Sequence, residues 1–287
     1  MKKSIALTFV ALFATLAVVA GAVAPVSNLS FTAEAAFAEE YPGEKLAEFS
    51  TDYSSSSSAR KHNIELAAGF LDGYVVTGGA TFSFNSAVGA RSAARGFREA
   101  PVIEDGKYVK GIGGGVCQVS STLYNAVIRA GMETVSVAHH SLPVSYLPGS
   151  LDAMVSEATD FRFLNVTPYP LRIYSECKGG KLTFTLYGFP VYTDGESVRI
   201  RSVTVKVLEC KEYERVADTE GVLKEGEYER YLSHPKNGLI SEAYRDSLYR
   251  GEVVSSVRLR RDYYAPQKGV VIVSKDNARA GGQPPRA

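Results

Sequence analysis

Tryptophan is missing from this chain, and cysteine and methionine are scarce, at three residues each among 287. Without tryptophan, stacking on sugar rings would fall to the 17 tyrosines, and most of these sit at strand spacing, where they read as β packing. No charge of either sign is in excess. Lys+Arg number 32 against 31 Asp+Glu, so the basic surplus that nucleic-acid binding needs is absent. There is no C-x-x-C, H-x-x-x-H or H-E-x-x-H spacing, and no metal site is expected. No cofactor is expected either. The glycine-rich loop at 113–115 is not followed by G-K-[ST], and no dinucleotide-binding βαβ unit surrounds it. The odd cysteine count leaves at least one thiol free in an exported protein. Cys177 and Cys210 could pair and leave Cys117 alone, although spacing cannot supply the geometry a disulfide needs. After residue 24 no apolar run is long enough to cross a bilayer.

What is present begins with Met1-Lys2-Lys3 and an apolar run from Ile5 to Ala24. Lysines before an apolar stretch are the layout of an export signal. Ala36-Phe37-Ala38 offers a small-x-small cleavage site, and an uncut run would serve as a membrane anchor. Residues 25–48, rich in Ala, Glu and Ser, read as a tether. With 45% hydrophobic residues, the remainder can bury a core, and its length suits one medium domain, 49–190, and a smaller β-rich module, 191–275. Residues 276–287, with Gly281-Gly282 and Pro284-Pro285, read as a disordered tail.

Within 49–190, Ile64, Ala67, Ala68 and Leu71 fall at helical spacing, with Ser58 as a cap and Gly73 as a stop. Gly78 to Asn85 reads as a turn into a short strand. Val102 to Val109 reads as a hairpin turning at Asp105-Gly106. Val119, Leu123, Val127 and Ala130 make one face of a second helix that ends at Gly131. A strand over 135–137 leads to His139-His140. From Phe161 onward the pattern is β, with alternation over 171–174, 182–186 and 198–207. The expected class is α+β, with helices packed on a mainly antiparallel sheet, followed by a small all-β module.

Gly113-Gly114-Gly115 deliver Cys117 to the first turn of that second helix. Helix N-termini carry partial positive charge and unpaired N–H groups, which favour the nucleophilic thiolate. A Cys, His, Asp order follows along the chain. Cys117 would attack an acyl carbon, and His140, or alternatively His139, would take its proton. Asp152 or Asp160 would orient the imidazole. The backbone amides of Cys117 and Gln118 would form an oxyanion hole. On a strand the two adjacent histidines face opposite ways, so at most one serves the thiol. A cysteine in an apolar helix can also be plain core packing.

The stretch from Phe49 to Gly188 resembles the VanW family, named after a gene that accompanies vancomycin resistance. The likeness rests on Arg60, Asn63-Ile64, Phe82-Ser83-Phe84-Asn85, Val88-Gly89-Ala90-Arg91 and Gly96 to Pro101. It continues through Gly113 to Ala126, then His140-Ser141, Pro143-Val144, Tyr146, Pro148, Asp152-Ala153, Asp160-Phe161 and Asn165. Two basic positions usual in the family are Val137 and Leu151 here. The residues after Gly221 resemble, more loosely, the five-glycine wall-associated module. The resemblance implies a bacterial envelope protein, in the wall or membrane-anchored, with peptidoglycan or wall glycopeptide as partner. It implies membrane contact only through the N-terminal segment. Ligand contacts are expected from Gly113, Gly114, Gly115, Gln118, Ser121, Thr122, Arg91 and Asn85. Two functions are open: a thiol enzyme of acyl transfer or hydrolysis, and a non-catalytic wall-binding adaptor.

Overall fold

A computed structural model describes residues 43–104 and 106–274. The expected signal or anchor, the first part of the tether, Asp105 and the tail lie outside the described residues. The described chain is strand-rich, with few helices and several antiparallel sheets.

The first sheet has the order β1 (Glu44–Asp52), β9 (Lys181–Gly188), β8 (Leu171–Lys178), β2 (Tyr74–Val76), with every neighbour antiparallel. Strand β9 alternates as a half-buried strand must. Leu182, Phe184 and Leu186 are fully buried, and the residues between them are not. Helices α1 (Ser58–Gly69) and α3 (Val116–Arg129) contact this sheet and each other. Ile64, Ala67 and Leu71 share one core with Val119, Leu123 and Val127. The α1 cap is Ser57, whose side chain accepts from the Arg60 amide.

β1 starts at Glu44, inside the stretch read as tether. It is an edge strand whose residues are mostly half-exposed, with Thr51 buried. Such a strand can carry the polar composition of a linker.

A second small sheet orders β3 (Thr81–Ser83), β7 (Arg162–Leu164), β6 (Glu133–Ser136). β3 stops at Ser83 because its hydroxyl accepts from the Ser86 amide at 3.1 Å and opens the short helix α2 (Phe84–Val88). The expected hairpin is β4 (Glu99–Glu104) with β5 (Lys107–Ile112).

Beyond residue 190, β10 (Glu196–Leu208), β13 (Gly238–Tyr249) and β14 (Glu252–Tyr264) form an antiparallel sheet in that order. A third small sheet places β15 (Gly269–Val273) between β11 (Tyr213–Ala217), which is parallel to it, and the antiparallel β12 (Glu229–Ser233). The two halves meet through the loop at 141–152. The Ser202 hydroxyl donates to Gly149 O at 2.6 Å, and the Ser150 and Ser241 hydroxyls lie 2.7 Å apart. The Ala265 amide donates to Ser141 O at 3.0 Å. This seam sets one wall of the candidate site.

Candidate thiol site

The three glycines are dictated by what surrounds them. Gly113 and Gly115 have φ of +85° and +111°, a region glycine enters without a Cβ penalty. A Cβ on Gly114 would lie 2.6 Å from Pro101 O and 2.7 Å from the Ala100 carbonyl. A Cβ on Gly113 would meet the Arg91 stem at 3.0 Å, and one on Gly115 would meet the Arg60 stem at 3.0 Å. The loop is thus pinched between β4 and two arginine side chains, and Cys117 emerges in the first turn of α3.

Cys117 is half-buried and its thiol donates to Val155 O at 3.3 Å. His140 is buried, with Nδ1 2.6 Å from Asp152 Oδ2. The backbone N–H of His140 donates to the same oxygen at 2.7 Å. The imidazole also acts electrostatically on the Cys117 thiol, with which it shares the cleft wall. A carboxylate on Nδ1 leaves Nε2 as the nitrogen for the sulfur. Asp152 is fully buried, and its other oxygen accepts from the Tyr264 hydroxyl. Tyr264 Oη in turn accepts from the Ser150 amide at 2.6 Å. Arg260 Nη1 donates to Asp152 O at 2.9 Å, while its Nε donates to Asp262 at 2.7 Å.

The charges follow from these contacts. Burial works to raise the Cys117 thiol, but the charge of His140 outweighs it and holds the thiol below its ordinary value. Burial alone would lower His140, yet Asp152 and Cys117 push it up to about 9. Burial disfavours the Asp152 carboxylate, and His140 and Tyr264 more than restore it, so its pKa is lowered. Each charged form favours the next, which is the arrangement of a thiolate–imidazolium pair. The cleft they open onto has a volume of about 560 Å³, with Arg60, Arg91, Tyr108 and Tyr146 also on its wall.

Other expected site residues are placed elsewhere. Asp160 does not reach His140. Its two oxygens accept from Ser83 Oγ at 2.6 Å and the Asn85 amide at 2.9 Å, at the start of α2. His139 turns away: its Nδ1 is bonded to His140 O at 2.7 Å, and its ring lies edge-on to Tyr264. Ser121 and Thr122 are buried and do not line the cleft. The Ser121 hydroxyl accepts from the Ala153 amide at 2.8 Å, and that of Thr122 donates to Gln118 O at 2.6 Å. Gly114 is likewise inside the fold. Asn85 holds Arg91, accepting from its Nη2 at 2.6 Å. Gln118 Nε2 donates to Thr51 Oγ1 and Asp52 O, and its Oε1 has no hydrogen-bond partner among the described residues. The Gln118 amide donates to Gly115 O at 2.9 Å, so of the two expected oxyanion donors the Cys117 amide is the one left. Cys177 and Cys210 are both free thiols.

Tyr264 and Arg260 are the site residues that sequence reasoning missed. They follow Asp152 by 112 and 108 positions, and no local pattern ties them to it. Arg60 and Tyr146 stood in the family motif without an assigned role.

The described chain is strand-rich, and its likeness to a known family lies in the first half, around this site. Residues 59–187 match the family model described as "VanW like protein". The chain is 44% identical over 149 residues to "Uncharacterized protein YoaR" of Bacillus subtilis (strain 168), covering 52% of this chain and 49% of that protein. The chain therefore spans about half the length of the curated relative it matches. A solved structure described as "Crystal structure of HP0197-G5" aligns with 27% of this chain and 96% of its own, at 19% identity and a TM-score of 0.16.

Proposed function

We propose that this protein is a thiol-dependent enzyme of the bacterial cell envelope that transfers or hydrolyses acyl groups of peptide amides, with the peptide stems of peptidoglycan as the natural substrate. The observation that carries the reading is the Cys117–His140–Asp152 group: Asp152 holds the imidazole at 2.6 Å, and His140 and Cys117 line the same cleft, where the imidazole lowers the thiol. The export-type N-terminus supports the location.

In the first step the Cys117 thiolate adds to the amide carbon. The carbon–sulfur bond forms, and the carbon–nitrogen bond breaks as the His140 imidazolium gives its proton to the leaving amine. The product is a thioester. Water or an acceptor amine then attacks it, gives a proton back to His140, and frees the thiolate. Asp152 holds the imidazole in the required tautomer throughout, and the Cys117 amide at the start of α3 faces the developing oxyanion.

The test uses the full chain with Cys177→Ser and Cys210→Ser, so that Cys117 is the sole thiol. Iodoacetamide labelling should proceed well below pH 9.0, the thiol's ordinary value, and His140→Ala should move it upward. Mass spectrometry of peptidoglycan stem peptides should show amide cleavage or exchange that Cys117→Ser abolishes. A thiol titrating at its ordinary value, or turnover that survives Cys117→Ser, would overturn the enzyme reading in favour of a wall-binding adaptor.

A further inference from the structure

Several arginines in the second half of the chain are matched by carboxylates. Arg199 and Arg201 share Asp246, Arg258 and Arg261 share Glu242, and Arg260 pairs with Asp262. The two arginines beside the thiol lack such a partner among the described residues, as does Arg129, which donates to Asn125 and lies over Phe49, but Arg60 and Arg91 line the cleft that holds Cys117. Arg60 donates to the Ser56 hydroxyl at 2.7 Å and lies over the Tyr146 ring, 6.0 Å from its centroid. Arg91 donates to the Asn85 amide oxygen and lies 5.9 Å from the Phe84 centroid. Neither forms a salt bridge among the described residues. Two carboxylates share the cleft wall, Asp52 and Glu157. Both are exposed, and Asp52 is already engaged by Ser54.

Both guanidiniums are partly desolvated, which holds them below the ordinary arginine value. A charge taken from water without a counter-ion is costly, yet the packing enforces it. Their stems lie against the glycine loop, Arg91 beside Gly113 and Arg60 beside Gly115, and both side chains share the cleft wall with Cys117. A planar guanidinium matches a carboxylate in a two-point fork. The rest of the wall includes Val102, Ile103 and Val144, which suits the methylenes of a peptide.

We infer that Arg60 and Arg91 form a carboxylate-binding subsite beside Cys117, so that the substrate is a peptide amide bearing a free carboxylate close to the bond attacked. The inference rests on the proposed thiol chemistry for the word substrate, but the subsite itself does not need the thiol.

Two experiments separate these. On the full chain with Cys117 as sole thiol, alkylation rates by iodoacetate and iodoacetamide are compared. Their ratio cancels the thiolate fraction and reports attraction of the anion. It should exceed that of a free thiol by roughly tenfold, from two cations within several ångströms, and fall towards the free-thiol value in Arg60→Gln and Arg91→Gln. Arg60→Lys and Arg91→Lys, which keep the charge and most of the stem, should retain much of it. In Cys117→Ser, calorimetry should show an N-acetyl dipeptide acid binding about tenfold more tightly than its methylamide, a preference lost with either Gln variant. A ratio unmoved by the Gln variants, or equal binding of acid and methylamide, overturns the subsite. Acid-selective binding with a thiol that titrates at its ordinary value would keep the subsite and sink the enzyme.

Discussion

Replacing Asp152 by Asn probes the relay at its most constrained point. The substitution keeps the shape and one acceptor oxygen and removes the charge that faces His140. In the native chain burial lowers the imidazole, and Asp152 and Cys117 reverse this, so it titrates at about 9 against 6.5. A group whose folded pKa is raised stabilises the fold fully below its unfolded pKa and loses that contribution as pH rises through the folded one. A shift of this size is worth roughly 3 kcal/mol, at about 1.4 kcal/mol per pH unit, shared between Asp152 and Cys117. With Asn at 152, burial of the imidazolium is opposed by less, and His140 falls. The wild type should therefore exceed the variant most near pH 6, and the gap should narrow by about 2 kcal/mol between about pH 6 and 10. Asp152 itself does not tilt this window. Its lowered pKa gives a contribution present above 3.8 and lost only as pH falls through the folded value. Urea unfolding at a series of pH values measures the gap. A difference that stays flat from about pH 6 to 10 would refute the charge coupling argued here.

Tyr264→Phe removes the hydroxyl that donates to Asp152 and accepts from the Ser150 amide, both buried. It should cost roughly 2–4 kcal/mol in urea unfolding and slow Cys117 labelling; an unfolding midpoint and labelling rate like wild type would show that β14 does not support the relay. Gly114→Ala forces a Cβ to 2.6 Å from Pro101 O and should lower stability by about 1–3 kcal/mol. Gly69→Ala meets nothing within 4 Å at the end of α1 and should be neutral or stabilising by up to about 1 kcal/mol. Equal thermal midpoints for these two alanine variants would contradict the reading of the glycine loop.

Legibility in the sequence followed the range of the forces involved. Helices α1 and α3 announced themselves through apolar spacing, since burying one face is a local pattern. The glycine run and Cys117 were likewise visible, because a pinched loop before a helix requires residues of that kind in sequence. The choice between His139 and His140 was half legible: alternation said that one faces away, the family likeness favoured His140, and it is His140 that the structure bonds to Asp152. Asp160 misled because a carboxylate that caps Ser83 and Asn85 leaves the same residue type as one that orients an imidazole. β1 was half lost to the tether because an edge strand needs little apolar surface. Ser121 and Thr122 read as ligand contacts because buried hydroxyls that stitch a loop to a helix look, in sequence, like hydroxyls lining a groove.

Tyr264 marks where a domain-by-domain reading stops working. The residues matching the VanW-like model end at 187, yet the carboxylate that holds His140 is itself held by a hydroxyl from β14, and Arg260 fixes the same backbone. Asp152 is fully buried, so removing β14 would uncover it and leave His140 as its one side-chain partner. A carboxylate returned to water keeps its charge but loses its fixed position, and a base that must meet a thiol within hydrogen-bond reach depends on that position. Cys117, His140 and Asp152 are therefore packed as one unit with the second half of the chain. A fragment ending near residue 190 should keep α3 and the glycine loop but show a Cys117 that labels like an ordinary thiol. If such a fragment folds and its Cys117 reacts at the same low pH as the full chain, the support from β14 is dispensable and the relay is complete without it.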